Sequence, residues 1–203
     1  MLVNTTLILM SLLAALLELD TTYLFQTLLS RPIIAGPIFG LCIGNPMAGV
    51  QVGIFAELLF SDISPLGGII PPSGVIATVI PITLHALGIE LYFGFFCGVF
   101  FSVLYSFLDA LLRKTRFTWM VFLETKIGKR PNAIQHTLAS TVLLSFLVTF
   151  VFVSVASWAS AQIMFLAFPY IPSKVHFAFQ LAYAAVPWLG LAALIPAFRL
   201  KTR

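Results

Sequence analysis

Long apolar runs separated by short polar stretches dominate the hydrophobicity pattern of this chain. A membrane-spanning helix needs about 20 mostly apolar residues. Four runs approach or exceed that length, at 32–56, 63–84, 91–108 and 177–198. A fifth, 137–168, is long enough to span with tilt. The pattern predicts an all-α polytopic membrane protein with about five full transmembrane helices.

The first apolar segment, residues 5–29, is interrupted by Glu18 and Asp20. The apolar pieces on either side of these acids are each too short to span alone. We therefore predict a first helix that ends in a bend near Asp20. The opening has no basic n-region and no small-residue cleavage site, which favours a retained membrane segment over a secretory signal.

Glycine and proline interrupt two of the apolar runs. One carries eight such residues between positions 32 and 53, and the other carries seven within the 19 residues "SPLGGIIPPSGVIATVIPI", 64–82. In hydrocarbon, irregular backbone is tolerated only where protein or a water-filled cavity covers it, so a pair of broken segments indicates a transporter binding site. Close helix packing explains the spacing of Gly36, Gly40 and Gly44, but not seven interruptions so close together. We predict Gly/Pro-broken, re-entrant hairpin segments here.

Basic residues are concentrated in two places. Of the eleven, six lie between residues 113 and 130 and three lie in 199–203. The positive-inside rule places both groups, and hence the C-terminus, in the cytoplasm. The opening "MLVNTTL" has no basic residue and would lie outside, which requires an odd number of full crossings before Arg113. One of the four early segments is therefore expected to be re-entrant or broken.

We divide this single integral membrane domain into three parts. Residues 1–112 hold the broken helices and the candidate site, 113–136 form a basic cytoplasmic loop, and 137–203 form C-terminal transmembrane helices. The apolar patch "FTWMVFL" within the loop predicts an interfacial helix, with partner docking as the alternative.

Glu57 is the strongest candidate for a functional residue. Inserting an ionisable group into a membrane segment costs at least ~2.5 kcal/mol on insertion scales. Such a group normally faces the protein interior, forms an ion pair or takes part in function. A functional role and a structural ion pair with Arg31 both remain open. Asp62, five residues on, would share the same cavity or lie at its rim.

Two amides and three hydroxyls are weaker binding candidates. Asn45 and Gln51 can bind sugar hydroxyls in two directions, but hydrogen bonding between helices is as good an explanation. The three hydroxyls are those of Ser61, Ser64 and Ser73.

Composition excludes several function classes. With 60% hydrophobic and 9% charged residues, the chain is not an ordinary soluble domain, and nucleic-acid binding has no support. No nucleophile and base pair or metal-ligand constellation is visible, so we predict no catalytic residue, metal or cofactor. Glu90 and Asp109 bracket an apolar run and are expected to cap or snorkel at its ends.

Residues 19–80 carry a series of spaced elements: an LD at the end of the first helix, an RP about ten residues later and a G-x-x-x-G-x-x-x-G run. An E-L at Glu57 and Leu58, a glycine pair and a double proline follow. In order and spacing this resembles the N-terminal half of the IIC permease subunit of mannose/sorbose-type sugar phosphotransferase systems.

That resemblance implies a sugar-conducting subunit of the bacterial cytoplasmic membrane with an elevator-type transporter core. It also implies a hetero-oligomer with a IID membrane subunit, while cytosolic IIA and IIB partners carry the phosphoryl group, so this chain is not itself an enzyme. Substrate contacts would lie in the region of Glu57 and in the segment from Ser61 to Ser73.

Two alternatives remain open. A non-transporting scaffold or receptor would have kept the fold and lost acids that family members often have at the positions of Asn45 and Ser73, and it predicts no polar cavity. An ion-coupled carrier would use Glu57 and Asp62 as a proton or cation site.

Overall fold

The structure is a computed structural model that describes residues 2–21, 27–63, 70–127 and 131–199. Every regular element in these ranges is helical. The α-helices are α1 Leu2–Leu19, α2 Pro32–Cys42, α3 Pro46–Phe60, α4 Gly74–Ala86, α5 Leu91–Ile127, α6 Pro131–Ala167 and α7 Ser173–Arg199, with a 3₁₀ turn at Phe168–Tyr170.

Three of the described helices contain apolar spans long enough to cross a membrane, at Leu91–Thr115, Ala139–Tyr170 and Ser173–Ile195. The apolar helices before them are shorter. This arrangement confirms the predicted all-α polytopic membrane protein. The long runs at 32–56 and 63–84 do not each yield one full helix, because glycine and proline divide them.

The run at 32–56 folds into a helical hairpin of α2 and α3. The chain reverses at Gly44, whose φ of +77° suits a residue without a side chain. The Asn45 side chain then caps α3 by accepting a hydrogen bond from the Ala48 amide at 3.2 Å. A hairpin returns the chain to the side it left, which is the geometry expected of the predicted broken segment.

Glycines let the two arms of the hairpin touch through their backbones. A Cβ atom on Gly40 would lie 2.8 Å from the Asn45 carbonyl oxygen, and one on Gly53 would lie 2.5 Å from that of Pro32. Gly36 and Gly49 face each other in the same way. Of the three glycines whose spacing predicted close helix packing, Gly36 and Gly40 serve it, whereas Gly44 forms the turn.

Helix α4 lies at the centre of the molecule. All of its residues from Val75 to Leu84 are buried, among α1, α2, α3, α5 and α6. Pro81 of α4 fits against Gly94 and Gly98 of α5, where a Cβ atom on Gly98 would lie 2.6 Å from the proline Cδ. Proline is tolerated here because neighbouring helices cover the backbone that it leaves unpaired.

Helix α1 ends at Leu19, which confirms the predicted bend near Asp20. The Asp20 carboxylate accepts hydrogen bonds from the Thr27 amide and hydroxyl, both at 2.9 Å. It also accepts one from the Ser30 amide at 3.4 Å. This acid therefore fixes the connection that leads into α2.

The basic segment at 113–136 was predicted to be a loop, but its described residues, 113–127 and 131–136, are helical, so that prediction is wrong for them. Residues up to Ile127 continue α5, and residues from Pro131 begin α6. A helix can continue past the apolar span through Leu, Phe, Arg and Lys, because none of these residues breaks the backbone hydrogen bonds. The cytoplasmic side of this segment and the interfacial position of "FTWMVFL" stay predictions.

Candidate functional site: a polar cavity where five helices meet

A cavity of about 370 Å³ lies where α1 and α3 end, α2 and α4 begin, and α5 passes. Its volume falls within the usual range for small-molecule sites. Its polar lining comprises Glu18, Thr21, Ser30, Arg31, Glu57, Ser61, Ser73, Tyr105, Ser106, Asp109 and Arg113. Polar groups on α1, α3 and α5 and at the N-caps of α2 and α4 thus converge on one volume inside an otherwise apolar chain.

The first polar couple joins the two arms of the hairpin. The Arg31 Nη2 atom lies 2.7 Å from Glu57 Oε1. The other oxygen of Glu57 accepts a hydrogen bond from the Ile33 amide at 3.4 Å, at the N-terminus of α2. The carboxylate therefore has a cation and the positive end of a helix dipole beside it.

The second couple joins α1 to the start of α4. The Ser73 hydroxyl donates a hydrogen bond of 2.7 Å to Glu18 Oε2. The same oxygen of Ser73 accepts from the Ile76 amide at 3.3 Å and so caps α4. Glu18 thereby holds the N-terminus of α4 at the wall of the cavity.

The two members of the third couple both lie on α5, one helical turn apart. The Arg113 Nε atom donates to Asp109 Oδ2 at 2.7 Å. Tyr105, one turn further into the membrane span, shares a 2.7 Å hydrogen bond with the Thr149 hydroxyl of α6. This bond ties the α5 wall of the cavity to α6.

Each of these couples pairs a hydrogen-bond donor with an acceptor. Hydroxyl groups are both donor and acceptor, so a polyhydroxylated ligand can bind between the members of such couples without leaving either unsatisfied. Within the described residues, no three His, Cys, Asp or Glu side chains are placed to hold a metal ion. The arrangement is suited to binding a neutral, hydroxyl-rich molecule.

The structure brings three of the seven predicted site residues to this cavity: Glu57, Ser61 and Ser73. Asp62 lies in the exposed turn after α3, and it is not part of the lining. Ser64 lies outside the described residues.

Asn45 and Gln51 lie elsewhere on the hairpin. Asn45 is twelve residues before Glu57, which places it about 18 Å away along α3. Its side chain contacts the His85 ring at 3.2 Å. Gln51 is exposed on α3 and does not line the cavity. Their role in binding stays a prediction.

Four charged lining residues were not among the predicted site residues: Glu18, Arg31, Asp109 and Arg113. Asp109 was expected to cap or snorkel; it lies within α5 and so caps no helix end, and it pairs with Arg113 in the cavity wall. An acid at position 109 with a base at 113 is an i, i+4 pair that the sequence does display. Its proximity to Glu18 depends on the packing of α1 against its neighbours.

Comparison with known proteins gives two findings. The profile of the family described as the sorbose-specific IIC component of a phosphotransferase system matches residues 4–202. A protein of Escherichia coli (strain K12), provisionally described as N-acetylgalactosamine permease IIC component 2, is 35% identical over 54 residues. That alignment spans 27% of this chain and 41% of the relative.

Proposed function

The chain belongs to the family of sorbose-type IIC components of sugar phosphotransferase systems, and from that premise we propose that it is a sugar-conducting permease subunit. In this proposal it binds a sugar in the polar cavity and moves it across the bacterial cytoplasmic membrane. Partner subunits phosphorylate the sugar as it enters. The observation that carries the proposal is the convergence of three donor–acceptor couples on one cavity.

The partners follow from the family. A IID subunit would complete the membrane part as a hetero-oligomer, and IIA and IIB proteins would carry the phosphoryl group. The chain itself would catalyse no reaction, so its role would be to bind, orient and release the sugar. Displacement of the cavity-bearing helices in the manner of an elevator would change the side to which the cavity opens.

The substrate class follows from the cavity lining. Carboxylate and guanidinium groups held as couples recognise hydroxyls by paired hydrogen bonds, and the partial burial of the carboxylates disfavours any ligand that cannot satisfy them. The E. coli relative is described as an N-acetylgalactosamine permease component. Hexoses and hexosamines, including the N-acetylated forms, are therefore the ligands to test first.

The cavity also favours transport over the scaffold alternative, because a scaffold would need no polar cavity. An ion-coupled carrier differs in its energy source. Transport that needs a proton or sodium gradient and no phosphoenolpyruvate would favour that carrier over a permease of this family.

The direct test is sugar binding by the full chain co-expressed with its neighbouring IID-type subunit. Labelled mannose, glucosamine, galactosamine and N-acetylgalactosamine are titrated onto the purified pair and onto a Glu57→Gln variant. We expect saturable binding of at least one sugar and a loss of affinity of about tenfold or more in the variant, because a charged hydrogen-bond partner is removed.

The matched control is Glu90→Gln, the same change at an exposed acid just before α5. It should bind as tightly as the unaltered chain. If a folded pair binds none of the sugars, the permease assignment fails. Equal affinity in Glu57→Gln and Glu90→Gln would place the sugar outside this cavity.

A further inference from the structure

The two ion pairs of the cavity are oriented alike, with the cation outermost. The Arg31 side chain is 60% exposed and its partner Glu57 is 20% exposed. The Arg113 side chain is 46% exposed and its partner Asp109 is 17% exposed. The carboxylates therefore lie on the inner wall, and the guanidinium groups lie at the mouth.

Both guanidinium groups keep donors for a ligand. A guanidinium carries five N–H donors in a planar fork. Within the described residues, Arg31 uses Nη2 toward Glu57, and Arg113 uses Nε toward Asp109. The remaining N–H groups have the fork geometry that matches the oxygens of a phosphate.

The surroundings of the mouth are also positive. Arg31 precedes α2 at its N-cap position, so the positive end of that helix dipole lies beside it. Lys114 follows Arg113 in the basic segment and is exposed. By the positive-inside rule this end of α5 faces the cytoplasm.

We propose that Arg31 and Arg113 form a phosphate subsite at the mouth of the sugar cavity, and that it takes the phosphate ester of the transported sugar. The inference rests on the proposed function, in which the sugar acquires a phosphoryl group on the cytoplasmic side. The Glu57 and Asp109 carboxylates and the Glu18–Ser73 couple hold the hydroxyls of the sugar ring, while the guanidinium groups of Arg31 and Arg113 hold the ester phosphate. The subsite retains the phosphorylated product at the mouth until it is released.

The test measures competition in nanodiscs of phosphatidylcholine, which carry no net charge. The purified chain with its membrane partner is loaded with the labelled sugar that binds it. The label is then displaced with the unlabelled sugar, its 6-phosphate or inorganic phosphate. The proteins compared are the unaltered pair, Arg113→Gln, Arg113→Lys and the control Lys174→Gln, an exposed lysine in the first turn of α7.

We expect the 6-phosphate to displace the label from the unaltered pair. In Arg113→Gln the affinity for the 6-phosphate should fall at least tenfold more than the affinity for the sugar. Arg113→Lys should lie between the two, because it keeps the charge and loses the fork. Lys174→Gln should match the unaltered pair, and inorganic phosphate should displace label only weakly.

Two outcomes would overturn the inference. If the sugar binds but its phosphate ester competes equally in the unaltered pair and in Arg113→Gln, the subsite does not exist and the sugar site stands. If no sugar binds to a folded pair, the proposed function falls and the subsite falls with it. Retained sugar binding in Arg113→Gln also shows that the variant is folded.

Discussion

Individual glycines decide how the hairpin is built. Gly36, Gly40, Gly49 and Gly53 have no room for a Cβ atom, since the backbone of the opposite arm occupies that space. Gly44 is different, because the space around it is open and only its positive φ restricts it. These two kinds of constraint predict different responses to substitution.

Gly49→Ala should destabilise the protein, because the new methyl group meets the Gly36 carbonyl oxygen, which cannot move aside alone. Overpacking of this kind costs about 1–3 kcal/mol, or roughly 2–12 °C in melting temperature for a chain of this size. Melting followed by fluorescence in detergent measures it. Gly44→Asn is the control, since asparagine tolerates a left-handed conformation. If its melting temperature fell as much as that of Gly49→Ala, the result would contradict this explanation.

Among the elements, α3 is the one that positions the site. It packs on α2 through the glycine contacts and on α7 at Gly190, where a Cβ atom would lie 2.8 Å from the Leu58 carbonyl oxygen. Leu58 is adjacent to Glu57, so the approach of α7 fixes the end of α3 that carries the carboxylate. Arg31 and Glu57 can form their 2.7 Å contact only while the arms keep this alignment.

Gly190→Val should therefore displace the end of α3 and weaken sugar binding, although residue 190 is not part of the cavity lining. We expect the affinity to fall by about tenfold or more, which corresponds to 1.4 kcal/mol. Ala192→Val introduces the same side chain at an exposed position of α7 and should leave the affinity unchanged. Unaltered affinity in Gly190→Val would show that α7 does not position Glu57.

At the scale of the whole molecule, the helix order and the distribution of charge predict a topology, since the positive-inside rule places the basic segment after α5 in the cytoplasm. The α2–α3 hairpin would return the chain to the side it left, and α5, α6 and α7 carry the spans long enough to cross. An outside N-terminus requires α1 and the 13-residue α4, both shorter than these spans, to cross as well. The cavity would then open near the cytoplasmic end of α5.

Reporter fusions test this orientation. Green fluorescent protein fused after Arg203 should fluoresce, and alkaline phosphatase at the same point should be inactive, since the former folds in the cytoplasm and the latter needs oxidising conditions. Active phosphatase at the C-terminus would contradict the topology and place the basic segment outside.

Much of the architecture could be predicted from the chain alone. Apolar runs, the acids near residue 20 and the Gly/Pro interruptions indicate a polytopic helical protein with a broken early segment, because the cost of unpaired backbone in hydrocarbon acts on every local stretch. The basic segment at 113–136 was predicted incorrectly because charge identifies a side of the membrane and does not end a helix.

The candidate site was only partly predictable. Glu57 was recognisable, since any carboxyl within an apolar run needs an explanation. Glu18 and Asp109 each lie near the end of an apolar run, where an acid is unremarkable. Only packing brings them to the same cavity as Glu57.

The sequence by itself determined the class of protein, the helical framework and the first functional candidate, because hydrophobicity and backbone pairing are properties of short segments. Tertiary structure alone decided which ionisable groups share a cavity and that the guanidinium groups lie outside their carboxylates. Those facts depend on contacts between residues as far apart in the chain as Glu18 and Ser73, and no local pattern of residues encodes such a contact.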